Sequence, residues 1–276
     1  MNELAIQIQY DDNFEFTLES AAKAGFKYVA LGFGSSKCFH NDDWEQHLAK
    51  IEKNLNKNSL ECIQTHLPYY SLLISAETVD PDMEKAIKRC IEASGKLGAR
   101  WCAYHPRTAV NFNYSPRKSF ELAKEAVAPL ISVAQKYKTG IALENLPVFP
   151  DIYQMKFYSS DYEDLCELHD CFKDDSVGIC WDFGHAHLMK FDEVQAISYV
   201  GNRIKATHIH NNSQNDDSHF LPSQGNIEWE KLMPKMGEFY KNALTLEINY
   251  KFDPMLDSFL EHSYQCVKYI RDLMNN

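Results

Sequence analysis

Residues 181–187 read WDFGHAH and follow directly on the apolar run Val177-Gly178-Ile179-Cys180. A run that apolar is expected to be buried, yet it ends in Asp182 and, three residues on, His185. Burying an unpaired carboxylate costs on the order of several kcal/mol, or shifts its pKa until it is neutral. Asp182 therefore needs a partner: a cation, a set of donors, or water at the mouth of a cleft. Which of these applies depends on whether other segments end the same way.

They do. Short β-rich runs alternate along the chain with longer amphipathic ones. The runs are 4–8, 28–31, 61–65, 101–104, 140–143, 177–181, 204–209 and 243–246, and helical spacing predicts helices over 13–24, 43–56, 81–97, 116–137, 160–171, 192–201, 228–239 and 254–273. Asn41-Asp42-Asp43 and Ser160-Asp161 supply helix-starting residues, and Gly25 and Gly201 stand where helices should stop. Eight strands, each followed by a helix, is the count of a closed (β/α)8 barrel, for which about 250 residues is typical. The runner-up, an open doubly wound sheet, would more often carry a glycine-rich phosphate loop after its first strand; that position here reads Gln9-Tyr10-Asp11-Asp12. With no linker, repeat or low-complexity tract in 276 residues, one domain over 1–276 is expected.

From the third strand onward the strand ends are His66, His105, Glu144, Asp182, His208 or His210, and Glu247. In a parallel barrel these ends surround one opening, so residues far apart in sequence become neighbours. Imidazoles and carboxylates gathered at one rim, with no lysine or arginine cluster beside them, suit a divalent ion of borderline hardness, zinc or manganese first. Asp217 and His219, in a polar loop after the seventh strand, and His185 can reach the same space. His208 and His210 share a parity, so spacing does not choose between them. Trp181, Tyr69, Tyr70, Phe149 and Phe220 are aromatic residues near that mouth, candidates to wall the apolar face of a ligand. Arg107, two residues past His105, is the basic residue placed to meet a phosphate on a bound substrate; Lys205 begins its strand and belongs to the far end.

Composition sets the outer limits. The chain is 45% hydrophobic and 13% aromatic, ample for a large core, and its net charge of −11 gives no general basic footprint for nucleic acid. No stretch approaches the roughly 18 apolar residues of a membrane span, and the N-terminus lacks a secretion-signal pattern, which makes a cytoplasmic location the default expectation. The eight cysteines include no CxxC pair and read as small buried hydrophobes. A homo-oligomer is an open expectation, with no helical face marked for it.

The pieces LEN (143–145), WDFGHAH (181–187), HIHNN (208–212), DSHFLPSQGNIEW (217–229) and LEI (246–248) resemble the xylose isomerase-like (β/α)8 barrels, a superfamily of metal-dependent sugar isomerases and epimerases that also includes the endonuclease IV family. The resemblance to tagatose and psicose epimerases implies metal ligation by Glu144, Asp182, His208 and Glu247, with Glu144 and Glu247 moving protons beside a metal-held carbonyl and His185 binding substrate. The arginine such epimerases carry shortly after the metal-binding histidine is absent. The resemblance to endonuclease IV implies a wider ligand set for three zinc ions: His66, His105, Glu144, Asp182, His185, His208, Asp217, His219 and Glu247. The expected activity is sugar or sugar phosphate isomerisation or epimerisation. The alternatives are abasic-site phosphodiester hydrolysis and non-catalytic sugar binding.

Overall fold

The computed structural model describes residues 2–34, 37–70, 79–108, 115–148, 156–250 and 255–275. Its strands are β1 (Leu4–Gln9), β2 (Tyr28–Gly32), β3 (Glu61–His66), β4 (Trp101–Tyr104), β5 (Gly140–Glu144), β6 (Val177–Asp182), β7 (Ile204–His208) and β8 (Leu244–Leu246). All pair in parallel in the order β7-β6-β5-β4-β3-β2-β1-β8. The seam between β7 and β8 is joined just beyond β7, where Ile209 N–H donates to Thr245 O (2.8 Å) and Glu247 N–H donates to Ile209 O (3.1 Å). The Thr207 hydroxyl, donating to Ala243 O at 3.1 Å, adds a side-chain stitch. The expected (β/α)8 barrel is therefore present.

Alternation of side chains sorts each strand into an outer and an inner set. Outward, Ile6, Ile8, Ile179 and Trp181 are fully buried against the surrounding helices. Inward, residues stack in layers, as the narrow barrel requires. Trp101 fills the lower end: a Cβ at Gly140 would fall 2.2 Å from its ring, and one at Gly178 3.1 Å from it, so both glycines make room for the indole. Lys205 lies at this end too, its stem over Gly178, as its place at the start of β7 predicts. Above sits a layer of small side chains, Ala103, Ala142, Cys180 and Ala206. The next inward position on each of these strands carries His105, Glu144, Asp182 and His208.

The helices are α1 (Phe14–Ala24), α2 (Trp44–Asn58), α3 (Pro81–Lys96), α4 (Pro116–Tyr137), α5 (Tyr162–Asp170), α6 (Phe183–Leu188), α7 (Glu193–Val200), α8 (Trp229–Gly237) and α9 (Leu256–Leu273). Asp80, Ser115, Asp161 and Asp192 accept hydrogen bonds from first-turn N–H groups of α3, α4, α5 and α7, and Gly25 ends α1 with φ 104°. One expected cap differs: Asp43 precedes α2 without accepting a capping bond, and Asp42 is drawn away to Arg89 (2.9 Å) and Lys85 (3.3 Å). The short α6 was not expected, because six residues show too little of a period to read. All eight cysteines are free thiols, and no helix among the described residues is long and apolar enough to cross a membrane.

Candidate metal centre at the barrel mouth

The ends of β5 and β6 are locked together by one side chain. Asn145 accepts from Asp182 N–H (2.7 Å) and donates to Asp182 O (2.8 Å), continuing the ladder with an amide in place of backbone. This fixes Asp182, which is fully buried, while one of its carboxylate oxygens caps α6 by accepting from His185 N–H at 2.6 Å. The other approaches His210 Nε2 at 3.0 Å. The question posed by WDFGHAH is answered in part by donors and in part by a shared polar centre.

That centre has two lobes. In the first, His208 Nδ1 lies 3.1 Å from Glu144 Oε1, 3.0 Å from Glu247 Oε2 and 3.7 Å from Asp182 Oδ2. Glu144 Oε2 lies 3.3 Å from His66 Nε2 and 3.2 Å from His105 Nε2, and those two nitrogens are 3.1 Å apart. In the second, Asp217 Oδ2 sits 3.2 Å from His185 Nε2 and 3.1 Å from His219 Nε2, with the His210 ring stacked on His219 at 3.9 Å. Within Glu144, Asp182, His208 and Glu247, within His66, Glu144 and His208, and within His185, His210, Asp217 and His219, the potential ligand atoms all lie within 4.8 Å of one another.

The hydrogen bonds behind the histidines decide what the rings present. His66 Nδ1 lies 2.9 Å from Leu67 O, His185 Nδ1 2.9 Å from Asn145 O, and His219 Nδ1 2.9 Å from Glu247 O. A carbonyl only accepts, so each Nδ1 carries a proton and donates it, and each ring turns its Nε2, and in the neutral form that atom's lone pair, into the site. Those lone pairs face carboxylate oxygens at 3.1–3.3 Å. Two lone pairs at that distance repel unless a proton or a cation lies between them. A backbone carbonyl holding the far nitrogen in this way is the usual support behind a metal-ligating imidazole. Glu144 Oε2, Glu247 Oε2 and Asp217 Oδ1 are also buried without a hydrogen-bond partner among the described residues. The donor set thus fits a divalent ion of zinc or manganese type.

The protonation balance agrees. Burial pushes the Glu144 carboxyl up, but the adjacent His208 and His105 hold it well below the usual carboxylate range. Glu247 is held low in the same way, against burial, by His208 and His219. Burial opposes protonation of His219, yet Asp217 and Glu247 raise it to about 9; His185 is raised well above its ordinary value against burial by Asp182 and Asp217. Burial leaves His105 below its ordinary value. Most carboxylates here stay charged and are balanced by protons on histidine, which a metal would displace.

Two glycines fit the loops to this centre. A Cβ at Gly184 would fall 1.9 Å from the His210 ring, so the glycine of WDFGHAH is what lets His210 enter. Gly225, at φ 97°, lies where a Cβ would meet Asn211 Oδ1 and Asn212 O, both at 2.5 Å. Asn211 closes that loop, accepting from Ile227 N–H (3.1 Å) and donating to Pro222 O (3.0 Å).

The mouth opens into a cavity of about 430 Å³ lined by Gln7, Gln9, Gly34, His66, Tyr69, His105, Glu144, Leu146, Pro147, Phe157, His185, Asp217, His219 and Glu247. Nearly all expected ligands are gathered here or directly beneath, and both His208 and His210 face the centre. Two expectations are corrected. Trp181 faces outward and is fully buried near Phe191, with ring centroids 6.5 Å apart, because it alternates with Asp182 on β6. Arg107 is 7% exposed with its guanidinium 5.0 Å from the Tyr70 ring centroid, and it does not line the cavity. His187 lies behind the site, between Glu193 (2.5 Å) and Asn226 (2.8 Å). Tyr69 stacks on His105 at 4.6 Å at the cavity wall, whereas Phe149 lies outside the described residues. Gln7 and Gln9 were missed; their signal was two amides at inward positions of the otherwise apolar run LAIQIQ.

A model of the xylose isomerase-like TIM barrel family matches residues 18–261. Protein y4fM of Sinorhizobium fredii is 36% identical over 77 residues, 28% of this chain and 25% of its own. Protein MJ1311 of Methanocaldococcus jannaschii is 24% identical over 197 residues, 67% of this chain and 64% of its own. The chain thus spans less than two thirds of either relative. Among solved structures, a xylose isomerase domain protein from Alicyclobacillus acidocaldarius superposes with a TM-score of 0.78 at 14% identity over 100% of both chains. An L-ribulose 3-epimerase gives a TM-score of 0.78 at 15% identity, covering 100% of this chain and 96% of its own.

Proposed function

Because this chain belongs to the xylose isomerase-like TIM barrel family, we propose that it is a divalent-metal-dependent isomerase or epimerase of small sugars, using zinc or manganese. The observation that carries the reading is the set of imidazoles, each held through Nδ1 by a backbone carbonyl, whose Nε2 atoms face carboxylate oxygens at the floor of a sugar-sized cavity. The L-ribulose 3-epimerase of the same fold supports the sugar class.

Glu144, Asp182, His208 and Glu247 would hold the principal ion. When bound, it supplies charge stabilisation to an oxygen that becomes negative beside the reacting carbon. Glu247, at the cavity wall, takes the proton from the carbon next to the carbonyl, and Glu144, entering from β5, handles proton return. His185 hydrogen-bonds a substrate hydroxyl, and Tyr69 offers its ring to the apolar face of the sugar.

The substrate supported is uncharged. No lysine or arginine lines the cavity among the described residues, and the sequence of the remaining internal stretches adds one basic residue, Lys251. A phosphate ester would normally meet such a cation. The same fact weighs against a second reading, abasic-site phosphodiester hydrolysis, which is favoured by the second lobe around Asp217. Duplex DNA demands several cationic contacts around the mouth.

The test is metal analysis followed by incubation with a ketose panel in heavy water. Deuterium should enter the substrate in a metal-dependent way and cease in Glu247→Gln. No exchange with any ketose, together with nicking of an abasic duplex, would transfer the protein to the phosphodiesterases. Thermal stabilisation by a sugar without any product would make it a binding protein.

A further inference from the structure

We infer that Gln7 selects the substrate by accepting a hydrogen bond from a hydroxyl near the carbon whose proton Glu247 handles. The inference rests on the sugar reading above and adds a specificity-determining residue to it.

Gln7 lies on the inward face of β1 and is 5% exposed. Its Nε2 donates to Glu247 Oε1 at 2.5 Å. A charged carboxylate only accepts, so the amide has one allowed orientation: nitrogen toward Glu247 and oxygen away from it. That oxygen, Oε1, is buried and has no hydrogen-bond partner among the described residues. A buried amide carbonyl left unpaired is costly, and natural structures tolerate it mainly where a ligand or water completes it. Gln7 lines the main cavity and also a second, adjoining one of about 340 Å³ that shares Gln9, Tyr69, His219 and Glu247.

Gln9 strengthens the placement. A Cβ at Gly32 would fall 2.3 Å from Gln9 Oε1, so this amide occupies the space that a side chain at the end of β2 would fill. Two neutral amides thus stand on one strand beside a proposed catalytic carboxylate. An amide oxygen recognises a donor without demanding charge, as an alcohol group requires. A site built to bind a hydroxyl discriminates strongly against the analogue lacking it, because its own polar group is then left unpaired.

The experiment uses the metal-loaded full chain. L-Ribulose, D-fructose and D-tagatose are compared with their monodeoxy analogues by isotope exchange and by calorimetric binding. The wild type should disfavour one deoxy position by roughly 10- to 100-fold. Gln7→Met, which keeps length and removes both hydrogen bonds, should lower that ratio to near one in calorimetric binding, while loss of the donor to Glu247 slows exchange of both sugars alike. A ratio left unchanged in binding would overturn the role of Gln7 while leaving the sugar reading intact. Should Gln7→Met fail to fold, a wild type indifferent to every deoxy position overturns it equally. Absence of both exchange and binding with all three ketoses would remove the sugar reading and this inference with it.

Discussion

Replacing Gly184 by alanine should destabilise the protein, although the same change at an ordinary helical glycine stabilises by about 1 kcal/mol. Gly184 lies inside α6 at an ordinary negative φ, so the backbone itself does not object. The obstacle is the His210 ring, whose nearest carbon would be 1.9 Å and Nδ1 2.3 Å from the new methyl. A carbon contact needs about 3.5 Å, so ring or helix must move by ~1.6 Å. That displacement exceeds what the 3.0 Å contact between His210 Nε2 and Asp182 tolerates, and it disturbs the 3.9 Å stack on His219. Overpacking of this kind costs ~1–3 kcal/mol, which for a chain of this size lowers Tm by roughly 3–9 °C. Differential scanning calorimetry, with metal analysis of the same samples, measures both consequences; retained metal should fall along with Tm. A Gly184→Ala protein as stable as the wild type, with its metal content intact, would refute the argument that this glycine exists to admit His210.

Two further outcomes follow from the same geometry. Asn145→Ala should cost ~2–4 kcal/mol, because both backbone groups of buried Asp182 lose their amide partner at once, and chemical denaturation checks it. In metal-free protein the pKa of His219, raised to about 9, contributes stability that is fully present below its unfolded value near 6.5 and disappears as pH rises through about 9. Metal binding should run the opposite way, strengthening over that same rise in pH as His219 and His185 give up protons, so chelated and loaded samples should show Tm–pH slopes of opposite sign.

The barrel was legible because each of its strands is a short apolar run followed by a helical period, a rhythm that survives without any tertiary information. The clustering of polar side chains at the mouth was legible for a related reason: a parallel barrel converts strand ends into neighbours, so His66, His105, Glu144, Asp182, His208 and Glu247 needed only to be read as a series. Orientation was less accessible. Nearness in sequence to Asp182 points Trp181 toward the cavity, whereas strand parity sends adjacent residues to opposite faces. Arg107 was placed there by nearness to His105, but its position over Tyr70 depends on how the loop after β4 turns, which spacing does not encode. Gln7 was overlooked because a neutral amide does not stand out in sequence as a buried charge does. Only the contact to Glu247, 240 positions away in sequence, shows its use.

In the proposed function, side chains from separate strands hold a divalent ion at the barrel mouth. Anomalous diffraction at the zinc and manganese absorption edges, on crystals grown with each metal, tests it most directly. A peak bounded by Glu144, Asp182, His208 and Glu247, absent in Asp182→Asn, is expected. A fully formed pocket with no peak at either edge would contradict it.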